Sequence, residues 1–228
     1  MSINNNLYNN NLIKKPWGQE YTIYKNRSKL AITLIKIIPG KQTSLHCHPN
    51  KKTGFIIIKG KPIVQIGVHS DNKWQTKPLS ILVLRPGLFH SISNPIENRN
   101  DVYALEFETP YNKKDLVRFK DKYGRENIGY EKKKSMRKFN KDILLFKSNN
   151  KKQIYKIFKR KIIIDTLKSK KQINKLKDKS VTAILDGKLI NSEKKAALTF
   201  GEIVKTKTLK ILIEKFTIQN KLIILNVT

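Results

Sequence analysis

From Lys29 onward the chain alternates short apolar runs with turn signals. LAITLIKII leads to Pro39-Gly40, GFIIIKGKPIVQIGV to Ser70-Asp71-Asn72, SILVLRPG to Ser93-Asn94-Pro95, and VYALEFE follows. Runs of this length, rich in branched residues and bounded by Pro, Gly, Asn and Asp, predict antiparallel strands of an all-β fold. Helical periodicity is weak until KKDLVRFKDKYGR, Lys113 to Arg125, which fits a short helix or a loop. After a polar, Lys-rich stretch from about Glu131 to Lys141, β-like segments resume as DILLF, QIYKIF, KIIIDTL, VTAILDGKLI, KAALTFGEIV, LKILIEKF and LIILNV.

The second series repeats the first when Gly60 is set against Gly187 and Gly87 against Gly201, the pattern of a duplicated unit. Two unrelated β regions with ordinary turn composition are the alternative. The expected organisation is a flexible tail over 1–13, a barrel with its connector over 14–134, and a second barrel over 135–228.

Only four histidines occur, and three of them fall in one pattern. His46 and His48 sit at i and i+2, so on a strand both imidazoles point to one face. His90 follows the Pro86-Gly87 turn, where a strand can bring it beside them. Three imidazoles with an open position suit Zn, and also divalent Fe, Mn or Ni. Three interior histidines held by hydrogen bonds without metal are the other reading, and repulsion on protonation weighs against it. Cys47 points away from its neighbours and reads as barrel wall, and His69 reads as an exposed turn residue.

The pattern resembles the two motifs of the cupin superfamily, G-x5-H-x-H-x3-4-E-x6-G and G-x5-P-x-G-x2-H-x3-N. Gly40, His46, His48 and Gly60 match the first, and Gly87, His90 and Asn94 keep the spacing of the second. Pro86 and Gly87 are adjacent, and Thr53 stands where the family supplies a glutamate ligand. KPWGQEY at Lys15–Tyr21 and LHCHPNKKTGFIIIKGK at Leu45–Lys61 are similar to the cupin modules of mannose-6-phosphate isomerases and mannose-1-phosphate guanylyltransferases. The resemblance spans roughly residues 14 to 110. It implies an all-β, double-stranded β-helix (jelly-roll) barrel, duplicated as a bicupin. The second barrel is degenerate and metal-free, since Ser180 stands in Thr53's place and no histidine follows His90.

The resemblance also implies a metal on His46, His48 and His90, an anionic sugar phosphate or nucleotide sugar as substrate, isomerase chemistry, and a homodimer paired through strand edges. A non-catalytic sugar-binding cupin and a three-histidine oxygenase are the rival readings. Lys52, beside Thr53, is the leading candidate for an anion contact, with Arg118 and Arg125 next. Those arginines read equally well as salt-bridged connector residues, with Asp115 and Asp121 as partners. No base is assigned, because Glu106 and Glu108 read as outward-facing, solvated carboxylates. Trp17 reads as a lid or core aromatic.

Composition changes this picture little. The formal charge is +31, but only seven of the 48 basic residues are Arg. Nucleic-acid recognition favours the forked guanidinium, so the lysines read as a solvated surface and nucleic acid is not the expected partner. One cysteine excludes an internal disulfide framework. The absence of a long apolar run or a secretory leader pattern argues against a membrane partner and gives a cytoplasmic expectation.

Overall fold

The branched apolar runs become strands because each places one face on a shared interior. The computed structural model describes residues 8, 10–26, 29–140, 143–147 and 151–228. Two units divide the chain, Met1–Phe146 and Lys147–Thr228. In the first unit, β1 (Asn11–Lys15), β2 (Gly18–Asn26), β3 (Leu30–Ile37), β4 (Lys41–Gln42), β5 (Leu45–Cys47) and β6 (Lys52–Lys59) are followed by β7 (Ile63–Ile66), β8 (Lys73–Gln75), β9 (Ile81–Leu84) and β10 (His90–Asn94). Then come β11 (Val102–Thr109), β12 (Val117–Lys120) and β13 (Met136–Lys138).

One sheet runs β13-β1-β2-β3-β11-β6-β9; the other runs β12-β5-β10-β7-β8, with β4 also on β10. Chain order crosses repeatedly between them, so that β3-β11-β6-β9 is matched with β5-β10-β7-β8. That is the strand order of a jelly roll, the double-stranded β-helix. Ile35, Phe55 and Leu82 of the first sheet, with Trp17 from the turn between β1 and β2, close on Val64 and Ile92 of the second as one apolar core. The glycine of the Pro-Trp-Gly motif has a steric reason: a Cβ on Gly18 would sit 2.1 Å from the Lys36 carbonyl oxygen.

The second unit contains β14 (Gln153–Ile157), β15 (Arg160–Leu167), α1 (Lys170–Asn174), β16 (Val181–Asp186), β17 (Leu189–Ile190) and β18 (Ala196–Leu198). It continues with β19 (Ile203–Lys205), α2 (Thr206–Leu212), β20 (Thr217–Ile218) and β21 (Leu222–Val227). Its sheets run β14-β15-β21-β16-β19 and β18-β17-β20. The order β15-β21-β16-β19 reproduces β3-β11-β6-β9, and β20-β17-β18 reproduces β10-β7-β8. α1 stands in the chain where β5 stands in the first unit.

Several expectations change. The boundary expected after residue 134 falls after Phe146, because β13 pairs with β1 through Ile13 and Met136. Of the expected tail, residues 1–7 and 9 lie outside the described residues. Tyr8 is buried and Asn11–Ile13 are paired, since Leu12 and Ile13 extend the sheet. Val117–Lys120 is a strand rather than a helix, and LKILIEKF enters α2 instead of forming a strand. DILLF forms no strand among its described residues, although Phe146 N–H donates to the Ile23 carbonyl.

Gly60 and Gly187 are equivalent, each ending a strand next to a shared bulge. Gly87 and Gly201 are not. Gly201 N–H donates to the Ile184 carbonyl as Leu79 N–H donates to that of Ile57, and Leu79 takes a positive φ of 68° without being glycine. No helix among the described residues is long and apolar enough to cross a membrane.

Candidate metal centre

His46 lies on β5, His48 one residue beyond its end, and His90 opens β10 directly opposite His46. Their ring centroids are 5.0 Å (His46–His48), 4.5 Å (His46–His90) and 5.5 Å (His48–His90) apart. One nitrogen from each falls within 4.8 Å of the others. Each Nδ1 is turned to a backbone carbonyl: Ser44 at 2.8 Å, Asp115 at 2.6 Å and Leu88 at 3.0 Å, for His46, His48 and His90 respectively. With Nδ1–H donating outward, the lone pair of each ring resides on Nε2.

The Nε2 atoms of His48 and His90 are buried without a hydrogen-bond partner. Burial, and then the neighbouring imidazoles, hold His46 well below the usual histidine range; burial likewise lowers His48, and His90 to about 4. The three rings are therefore neutral at pH 7. Neutral, pre-aimed imidazoles with orphaned lone pairs fit a divalent cation, which such nitrogens bind at about 2.0–2.1 Å. Thr53, in the expected carboxylate position, is buried with its hydroxyl unpartnered, and no carboxylate joins the cluster among the described residues.

The histidines line a cavity that leaves about 60 Å³ for the centres of water molecules. That exceeds the roughly 10–15 Å³ a cavity needs to hold one water. Lys15, Lys51, Lys113, Arg118 and Arg125 share its wall with Glu20, Glu106, Glu108, Trp17 and Tyr130. Arg118 pairs across from His46 on β12, and its Nε is buried and unpartnered. Its Nη1 donates to the Gly129 carbonyl at 3.0 Å. Arg125 is held by Asp121 and Glu131, each at 2.7 Å. The two arginines expected at the site thus reach the cavity while serving as connector residues.

Lys52 does not line the cavity. Its neighbour Lys51 does, because Lys51 lies in the turn before β6, where Asp115 accepts from the Lys51 N–H at 2.9 Å. Asp115 therefore organises this turn, in place of the ion pair expected with the arginines. It also orients His48 through its carbonyl.

Glu106 and Glu108 overturn the expectation of solvated carboxylates. Both are buried and face inward on β11, opposite Phe55 and Thr53. Lys51 and Lys113 clamp Glu108, with Lys113 Nζ 2.7 Å from its Oε2. These lysines outweigh burial and keep Glu108 ionised. Glu106 has no hydrogen-bond or ion-pair partner among the described residues; burial and the adjacent Glu108 charge raise it to about 8. The signal that could have located them is their i, i+2 spacing, read with the opposite assignment of faces. Lys51, Lys113 and Tyr130 carried no comparable signal.

No protein-family profile and no curated protein matches the chain. Among solved structures, the capsular polysaccharide assembling protein CapF from Staphylococcus aureus is 16% identical with a TM-score of 0.42, over 48% of this chain and 34% of that one. This chain thus spans about a third of that protein's resolved length. KdgF from Halomonas sp. is 16% identical with a TM-score of 0.38, over 43% and 84%. A Klebsiella pneumoniae protein with a double-stranded β-helix domain is 15% identical with a TM-score of 0.41, over 53% and 97%. The fold assignment stands on the strand order given above.

Proposed function

We propose that the first unit is a metal-binding cupin that acts on a small anionic sugar derivative, as an isomerase of a sugar phosphate or of the sugar end of a nucleotide sugar. The observation that carries this reading is the pair of buried, unpartnered histidine Nε2 atoms beside the unpartnered Nε of Arg118. A bound divalent ion would supply Lewis-acid polarisation of a carbonyl or hydroxyl oxygen.

The chain's own residues would do the rest. His46, His48 and His90 would hold the ion, with the Ser44, Asp115 and Leu88 carbonyls fixing the ring orientations. Arg118 Nε would donate to the ligand's anionic group, and Tyr130 Oη, also buried and unpartnered, to a hydroxyl. Trp17 and Phe55 form an apolar part of the cavity wall. The small interior favours one sugar end inside, with any larger group outside.

Thr53 favours a second reading, a sugar-binding cupin without turnover, because an all-imidazole set keeps the ion's full charge and holds an anion firmly. We read the second unit as the degenerate, metal-free partner of a bicupin, on the strength of its matching strand order and bulge.

Elemental analysis of purified protein tests the metal site. Near-stoichiometric metal is expected in the wild type and little in His48→Ala; full retention in that variant would sink the site. Thermal stabilisation by sugar phosphates, scored beside their conversion, separates enzyme from binder.

A further inference from the structure

We infer that Glu106 is the catalytic proton carrier of this cavity, acting on the carbon next to the carbonyl of an aldehyde sugar that bears a phosphate or carboxylate. The inference rests on the functional reading above and assigns the base that reading lacks. Glu106 lines the same cavity as the three histidines, and Phe55, its cross-strand partner, meets the His90 ring at 5.8 Å. It is the one cavity-lining carboxylate with no partner among the described residues. Glu108 is fully engaged by two lysines, and Glu20 has Lys15 at 3.6 Å and Lys113 at 3.7 Å.

The second unit supplies an internal comparison. Counting from the shared bulge, Asn226 occupies the position of Glu106, paired to β15 and β16 as Glu106 is to β3 and β6. Asn226 Nδ2 donates to Ser180 Oγ at 2.8 Å and to Thr182 Oγ1 at 2.9 Å. Where the histidines are absent, this position holds a neutral, satisfied side chain. Where they are present, it holds a buried carboxyl with nothing to bond.

Burial raises Glu106 into the range where it both gives and takes a proton near neutrality. As carboxylate it accepts the proton from the C–H carbon beside the carbonyl. That bond's electron pair becomes a C=C bond, and the carbonyl π pair moves to oxygen. Glu106 then returns the proton to the former carbonyl carbon, while the hydroxyl proton passes between the two oxygens. The carbonyl has shifted by one carbon, with no net gain or loss of atoms or electrons.

The test uses the full, metal-loaded chain in D2O with glucose 6-phosphate and, separately, glucuronate, following the C2 proton by NMR and binding by thermal shift. Wild type is expected to exchange that proton with at least one probe. Glu106→Gln should lose roughly 10²-fold or more of the exchange while still binding the probe, and Glu106→Asp should keep part of it. Exchange in Glu106→Gln at the wild-type rate, or wild-type binding with no exchange of either probe, would overturn the inference. If neither probe binds, the anion-binding reading itself fails, and the role of Glu106 with it.

Discussion

Replacing Glu108 by Gln removes one charge from a buried cluster and keeps its shape. The side chains of Glu108, Lys51 and Lys113 are 1%, 2% and 3% exposed, so the two ammoniums cannot turn to water. Breaking one partner out of a buried pair costs about 3–5 kcal/mol. Three groups soften that loss. Lys113 keeps Glu20 at 3.7 Å, Lys51 keeps the Asn112 carbonyl at 3.1 Å, and Glu106, relieved of its charged neighbour, ionises more readily. A net loss of about 2–4 kcal/mol follows, a large share of the roughly 5–15 kcal/mol that a domain commonly has.

Urea unfolding in the presence of chelator measures it, with tryptophan fluorescence as the probe. Trp17 and Trp74 are the only tryptophans of the chain, and both lie in the first unit. The midpoint should fall by roughly 1–2 M for a typical slope. A loss below about 1 kcal/mol would refute the claim that Glu108 is the essential counter-charge.

The Glu106→Gln variant should also change how stability depends on pH. Its carboxyl is raised from 4.5 to about 8 in the folded chain, so its contribution is complete below pH 4.5 and is lost as pH rises through 8, at about 1.4 kcal/mol per unit. Chelated wild type should therefore weaken from pH 5 to 8 relative to the variant in parallel urea curves; curves that stay parallel contradict the buried, neutral assignment. Arg118→Met should weaken glucose 6-phosphate binding by calorimetry roughly tenfold or more, whereas Lys52→Met, off the cavity, should leave it unchanged. Gly60→Ala should cost about 2–4 kcal/mol, since the new Cβ would lie 2.6 Å from Val102 Cγ2 at a φ of +90°; Gly87→Ala, at a φ of +77° but with open space around it, should cost only about 1. Equal effects in thermal melts would contradict that steric account.

The strands were legible because Ile- and Val-rich runs between Pro, Gly and Asn leave few alternatives. The histidine trio was legible because a period of two aligns His46 with His48. The facing of β11 is hidden in the sequence for a physical reason: its sheet is buried on both sides. Leu105 and Phe107 occupy one face, and on that side the Phe139 ring meets Tyr21 at 5.6 Å. Apolar alternation therefore did not mark the interior, and Glu106 and Glu108 looked solvated while pointing into the barrel. Strand position points to Lys52, whereas the turn after His48, not strand alternation, aims Lys51. The pairing of Gly87 with Gly201 failed because Leu79 adopts the left-handed backbone that glycine marks in the second unit.

The two units together show why a histidine site and a lone inward carboxyl belong to the same barrel. In the second unit the chain forms α1 where the first has β5, so no strand remains to present a His-x-His pair. Without an ion or ligand, an unpaired buried carboxyl brings only desolvation, worth several kcal/mol if charged. The second unit avoids it. Ser180, Thr182, Thr206 and Asn226 close on one another, with Thr206 Oγ1 2.7 Å from both Ser180 Oγ and Thr182 Oγ1. The corresponding first-unit positions are Thr53, Phe55, Leu84 and Glu106, which form no such net and leave the Thr53 hydroxyl without a partner. On the same strand order, then, the two units differ in polar satisfaction: the side chains around Asn226 bond one another, whereas the Thr53 hydroxyl and the Nε2 atoms of His48 and His90 have no partner.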